Sequence, residues 1–205
     1  MNLKKIPNQI IKQPLQSLDI SRVDSIALHH MAHPTADVKT VESWHINEGW
    51  RAIGYNFWVG FDGTVYQGRG FKLGAGVENH NGHIISIGFQ GDYHSKNVKM
   101  PDAQFNAGID IIKYVMEKVP SIKKVGGHGE FMATACPGKY FPLAEMKSLK
   151  KRKSVEELTE VNDIVWEYAH RGIITDSKLW LDKLQKDKNS YWLARKALKY
   201  IREKE

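Results

Sequence analysis

Apolar positions in the first 150 residues change period several times, and each change predicts an element. Over residues 23–30, Ile26 and Leu28 alternate with Ser25 and Ala27 before two histidines, the pattern of a buried strand whose end opens into a site. After a break at residues 34–37, Val38, Val41, Trp44 and His45 recur at helical spacing, with Asp37 placed to cap the helix and Gly49 to end it. Two β-rich runs, 54–60 and 65–69, flank Phe61-Asp62-Gly63-Thr64, and the Asp-Gly pair predicts a hairpin. Residues 84–90 read as a further strand. Phe105, Ile109, Ile112 and Met116 mark a long amphipathic helix that Pro120 terminates, and Val125 leads into a glycine-rich stretch. Because strand and helix patterns interleave, the expected fold is α/β, a central mixed β-sheet flanked by helices.

Past residue 153 the period is purely helical. Val155, Leu158, Val161, Val165 and Ala169 line one helix, Leu179, Trp180 and Leu184 a second, and Ala194, Ala197, Leu198 and Ile201 a third. A small all-α C-terminal domain of about fifty residues follows, a three-helix bundle with a core that is marginal alone. The expected organisation is a larger domain at 1–148, a basic linker at 149–153 and a helical domain at 154–205.

Composition adds limits. The chain of 205 residues, 41% hydrophobic and 26% charged, describes a soluble globular protein with one good core and a satellite. No apolar run approaches the roughly 18 residues of a membrane helix, so no membrane insertion is expected. The start carries two lysines followed by Asn, Gln and Pro instead of an apolar segment, so no secretory signal is expected and the protein is made, and first resides, in the cytoplasm. Acidic and basic residues balance from Ser154 onward, which puts the net charge of +7 in the earlier part. Lys147, Lys150, Lys151, Arg152 and Lys153 cluster there. Without interleaved aromatics this reads as a solvated boundary and not as a nucleic-acid patch, although an anionic polymer would be attracted to it.

The chemistry gathers at residues 126–138. Cys136, the single cysteine, follows His128 by eight residues, with glycines at both ends that let the backbone bend back. One cysteine forms no internal disulfide. A histidine leaving a strand end and a thiol on the next loop make a plausible half of a zinc site, and a catalytic zinc takes three protein ligands plus water. Candidates for the third ligand are His29, His30, His33, His45, His80, His83, His94 and His170. His29 is favoured because it ends an apolar strand, where α/β sheets build their sites.

The runs Ala27-Leu28-His29-His30-Met31-Ala32, Trp44-His45, Gly54-Tyr55-Asn56-Phe57, Asp62-Gly63-Thr64-Val65-Tyr66-Gln67-Gly68-Arg69, Ser86-Ile87-Gly88, His128 and Ala135-Cys136-Pro137-Gly138 resemble, in order, the zinc-dependent N-acetylmuramoyl-L-alanine amidases of type 2. That family includes phage lysozyme-type amidases and peptidoglycan recognition proteins, and the resemblance covers roughly residues 20–148. It implies zinc bound by His29, His128 and Cys136, with Tyr55 near the metal-bound water and Thr134 facing the substrate carbonyl. The loop 74–83 departs from the family's Gly-Ala-His form, with Gly76 where histidine is expected. The implied activity is cleavage of the amide bond between N-acetylmuramic acid and L-alanine in peptidoglycan by zinc-activated water, in a phage endolysin acting at the bacterial cell wall with the C-terminal bundle as a wall-binding module. Three other readings compete: a peptidoglycan-binding module without catalysis, although such members typically lack the cysteine; a cytoplasmic muropeptide-recycling amidase; and a cysteine hydrolase with Cys136 as nucleophile and His128 as base.

Overall fold

In the computed structural model, which describes residues 3–152 and 161–204, the predicted histidine-bearing strand β2 (Ser25–His30) lies inside a six-stranded sheet. The other strands are β1 (Leu3–Lys5), β3 (Phe57–Val59), β4 (Val65–Gln67), β5 (Ile84–Phe89) and β6 (Lys124–Gly127), in the order β1-β4-β3-β5-β2-β6. The predicted hairpin β3–β4 is antiparallel; β1–β4, β3–β5, β5–β2 and β2–β6 are parallel. Every residue of β2 and β5 is buried, as expected for parallel strands covered on both faces.

Strand alternation sorts side chains between two cores. On one face Ile26, Leu28, Phe57, Val59, Ile85, Ile87 and Phe89 pack with Phe105, Ile109, Ile112 and Val115 of α2 (Asp102–Lys118). On the other, Trp58 packs with Ile53, Tyr55, and Val38 and Val41 of α1 (Val38–Asn47), while Ala27 and Ile84 pack with Val77, Phe131 and Met132. His29 projects from the same face as Ala27.

Several local expectations changed in the folded chain. Asp37 does cap α1, its carboxylate accepting Thr40 N–H at 2.8 Å, but Trp44 is 39% exposed and Glu42 is fully buried in the helix's inner face. The reason is tertiary: Glu42 accepts Ile10 N–H at 3.0 Å and pairs with Lys39, so the N-terminal segment lies over it. β1 and the short helix α3 (Leu143–Lys147) went unpredicted. Leu3-Lys4-Lys5 has no alternation, and its lysines suit an edge strand. Lys147 and Lys151 of the basic cluster are ion-paired, with Glu130 at 2.6 Å and Asp110 at 2.8 Å, and are not simply solvated.

The chain divides into two compact units, Met1–Lys151 and Arg152–Glu205. The described part of the second contains α4 (Val161–His170), α5 (Ser177–Lys186) and α6 (Lys188–Lys204); Lys153, Val155 and Leu158 lie outside the described residues. Its core is Ile164, Val165, Tyr168, Ile174, Leu184 and Leu198, and Glu167 pairs with Arg171 at 2.6 Å and Arg202 at 3.1 Å. Among the described residues no helix is long and apolar enough to cross a membrane.

Gly108 offers a test of the packing between α2 and the sheet. Alanine in a helix interior is ordinarily worth ~1 kcal/mol over glycine. Here its Cβ would stand 2.7 Å from the Phe89 ring and 2.9 Å from Met146 Cε, and overpacking costs about 1–3 kcal/mol. We therefore expect Gly108→Ala to lower the melting temperature; a rise would show that α2 slides freely on Phe89.

Candidate metal centre

Two-residue alternation along β2 sends His29 to the second face and His30 to the first. His30 is engaged there, its Nδ1 accepting Tyr93 N–H at 3.0 Å. On the other side of β2, Gly126 and Gly127 of β6 lie opposite Ala27 and Leu28, so the next residue, His128, arrives beside His29 with ring centroids 4.5 Å apart. Glycine is required at 127, where a Cβ would stand 2.6 Å from Pro137 Cδ. Gly129 N–H donates to Cys136 O at 2.8 Å, folding the loop back so that Cys136 Sγ lies 3.9 Å from His29 Nδ1. One donor atom from each of His29, His128 and Cys136 falls within 4.8 Å of the others. Zinc with bonds of ~2.0–2.3 Å needs tetrahedral donors about 3.5 Å apart, so modest side-chain closure suffices.

The electrostatics fit a cation. Burial holds His29 well below the usual histidine range, reinforced by His128 and His30, and burial lowers His128 as well. Burial pushes the Cys136 thiol up to about 11. Two neutral imidazoles facing a neutral thiol do not form the thiolate–imidazolium pair that a cysteine nucleophile needs. A bound cation would supply what the set lacks, since a coordinating thiol is deprotonated by its metal.

Beside this cluster stands Tyr55, buried, with its ring 5.2 Å from that of His29. Burial first, then Cys136, pushes its hydroxyl well above its ordinary value, so the phenol keeps its proton.

The comparisons with known proteins bear on this arrangement. Residues 19–139 match the family model described as N-acetylmuramoyl-L-alanine amidase. The chain belongs to that family. Peptidoglycan-recognition protein SC2 of Drosophila simulans is 34% identical over 105 residues, 49% of this chain and 56% of that protein, so the match spans little more than half of that relative's length. Among solved structures, N-acetylmuramoyl-L-alanine amidase LysC from Clostridium intestinale URNW shares the fold, with a TM-score of 0.65 at 24% identity over 72% of this chain and 96% of that one. The complex of tracheal cytotoxin with the ectodomains of PGRP-LCa and PGRP-LCx is similar at a TM-score of 0.60 and 27% identity, covering 68% of this chain and 92% of that one.

Within this amidase fold, two polar residues of the ordered motifs brace the backbone on either side of Tyr55. Arg69 is buried and donates to Ile53 O at 2.8 Å, Leu73 O at 3.1 Å and Ala52 O at 3.2 Å, while its backbone N–H reaches Tyr55 O. Asn56 donates to Gly70 O and Lys72 O and accepts Ser86 N–H at 2.9 Å. A buried polar residue inside an apolar strand motif was the available signal.

Thr134 is exposed, and its Oγ1 accepts Cys136 N–H at 3.2 Å, which shapes the loop and leaves the O–H able to donate. Of the other histidines, His45 flanks Tyr55 with ring centroids 5.6 Å apart, and its Nδ1 accepts Gly54 N–H at 3.1 Å. Burial, with Arg69 adding to it, lowers its pKa to about 4. His33 Nδ1 accepts Ala36 N–H. His80, His83 and Asp24 form a hydrogen-bonded chain at the opposite end of β2 and β5, and His170 stacks on Trp166 in the smaller unit.

The turn carrying His128 depends on Glu130, which accepts Gly127 N–H at 3.1 Å and Lys147 Nζ at 2.6 Å. Replacing it by Ala should cost about 1–2 kcal/mol, whereas Glu130→Gln keeps the acceptor and should cost less than half of that. Denaturant unfolding checks this, and equal losses would show that charge, not the acceptor, matters.

Proposed function

We propose that the larger unit hydrolyses the amide bond between the lactyl group of N-acetylmuramic acid and L-alanine in peptidoglycan, with zinc held by His29, His128 and Cys136. The observation that carries this reading is the convergence of those three donors beside a buried tyrosine, in a chain whose residues 19–139 match the amidase family. Peptidoglycan as partner is further supported by the similar PGRP ectodomains solved with tracheal cytotoxin, a monomeric diaminopimelic acid-type peptidoglycan.

Zinc bound there supplies a Lewis acid for the amide carbonyl and lowers the pKa of water from its ordinary ~15.7 to about 7. His29 and His128 bind the cation as neutral imidazoles and Cys136 binds it as thiolate, three protein donors being the number a catalytic zinc takes. Tyr55, kept protonated by burial, donates toward the carbonyl oxygen as charge develops on it. Thr134 offers a second neutral donor from the loop. Loss of one such donor raises a barrier by about 3–4 kcal/mol.

The setting we propose is lysis of a bacterial host, as an endolysin whose second unit binds the wall. That unit exposes Trp166, Trp192 and Tyr200 and carries a groove of about 350 Å³ lined by Ile173, Trp180, Leu193 and Ala194. Apolar and aromatic surface of this kind marks binding sites.

Mass spectrometry of peptidoglycan digested with and without chelator tests bond and metal together; fragments that keep L-alanine attached to the lactyl group would sink the assignment. Elemental analysis should find about one zinc per chain, falling sharply in Cys136→Ser, and full retention in that variant would remove Cys136 from the centre. Tyr55→Phe should lower kcat and kcat/KM together with zinc content intact, and an unchanged kcat would reduce Tyr55 to a packing residue. A chain ending at Lys153 should still hydrolyse soluble muropeptide yet act more weakly on whole walls, because the second unit raises local concentration without touching the chemistry. Equal lysis by the two chains would reject the wall-binding role.

A further inference from the structure

Among the described residues of the larger unit, three buried side-chain polar atoms lack a hydrogen-bond partner: Nε2 of His29, Nε2 of His128 and Oγ of Ser86. Ser86 is 1% exposed, out of reach of bulk solvent, and buried hydroxyls are nearly always paired. Its position is set by register. Ser86 lies opposite Ala27 and Gly88 lies opposite His29, which makes Ser86 and His29 diagonal neighbours on one face of adjacent parallel strands. Both unpartnered atoms lie near Gly76, where a Cβ would stand 2.5 Å from Ser86 Oγ and 3.3 Å from His29 Nε2.

His29 turns its other nitrogen, Nδ1, toward Cys136 Sγ. A neutral imidazole that gives one nitrogen to a metal carries its proton on the other, and the acceptor of that proton fixes tautomer and ring orientation. We propose that the Ser86 hydroxyl accepts the Nε2 proton of His29 and thereby aims Nδ1 at the metal, making Ser86 a positioning residue of the centre. The bond requires the Ser86 side chain to turn to another of its staggered wells. Asn56, which accepts Ser86 N–H at 2.9 Å, anchors the strand from which it rotates. Gly76 is part of the device, because a Cβ there would stand 3.3 Å from His29 Nε2 and crowd the space in which Oγ must approach the imidazole. The proposal rests on the zinc reading for its consequence, but the hydrogen bond itself does not need the metal.

Two substitutions in the full chain and one spectroscopic measurement test it. Removing an unpaired buried hydroxyl is neutral or stabilising, whereas removing one member of a pair strands the other. Ser86→Ala should therefore weaken zinc binding, measured by chelator competition, by about ten-fold or more, and lower the melting temperature of the zinc-free protein. Gly76→Ala should weaken zinc binding similarly, and the double variant should be no weaker than the worse single one. In wild-type protein, imidazole nitrogen shifts should report His29 as the Nε2–H tautomer with and without zinc. A Ser86→Ala protein that melts at or above wild type and binds zinc as tightly would overturn the proposal. If the wild type takes up no zinc, the metal reading fails by itself. The pairing is then judged on the zinc-free protein, where a His29 proton on Nδ1, or an undiminished melting temperature in Ser86→Ala, refutes it.

Discussion

Parallel pairing of β2 between β5 and β6 is the constraint on which the centre depends. Side chains alternate with period two, so a slip of one residue would carry His29 into the core under α2 and deliver His30 to the second face. The register is closed at both ends. Asp24 N–H donates to His83 O and Lys123 N–H to Asp24 O before the strand begins, and Met31 N–H donates to Gly91 O after it ends. With β2 so held, β6 has only to continue by one residue to bring His128 alongside.

Buried polar side chains do the rest of the positioning. Asn56 spans β5 and the loop after β4, and Arg69 gathers three carbonyls around the segment that leads into Tyr55. Each such bond contributes only about 1 kcal/mol net, yet leaving any partner unsatisfied costs more. The arrangement is therefore stiff where it is complete. Lysine could not replace Arg69, because a point charge lacks the planar fork that reaches several carbonyls at once. Glycines complete the fit: at Gly88 a Cβ would stand 2.8 Å from both the Trp58 and Tyr55 rings, so Tyr55 stands over the strand because that strand lacks a side chain there.

The centre is polar yet nearly uncharged, since burial favours the neutral form of both imidazoles, the thiol and the phenol. A cation bound there would offset the cost of a buried thiolate, because a coordinating thiol is deprotonated by its metal. The smaller unit uses the opposite device. Its core is thin, and Glu167 with Arg171 and Arg202 forms a largely buried ionic knot, in which loss of one partner would strand the others' charge.

Much was legible in the sequence because local rules carry it. Period-two runs, the Asp-Gly turn, the Asp37 cap and the amphipathic stretch of α2 are each written in neighbouring residues, and ordered motifs pointed to the family without any coordinates. The spacing of Cys136 and His128, with glycines that let the backbone bend back, suggested that the two could converge, and the fold does bring their donor atoms near each other. What stayed hidden depends on residues far apart in sequence. Burial of Glu42 follows from the N-terminal segment crossing α1, Lys147 finds Glu130 only after α3 docks, and Ser86 meets His29 only through the register of two strands joined by a long excursion. No period within a single element records which distant surface will cover it, so those contacts belong to the tertiary structure.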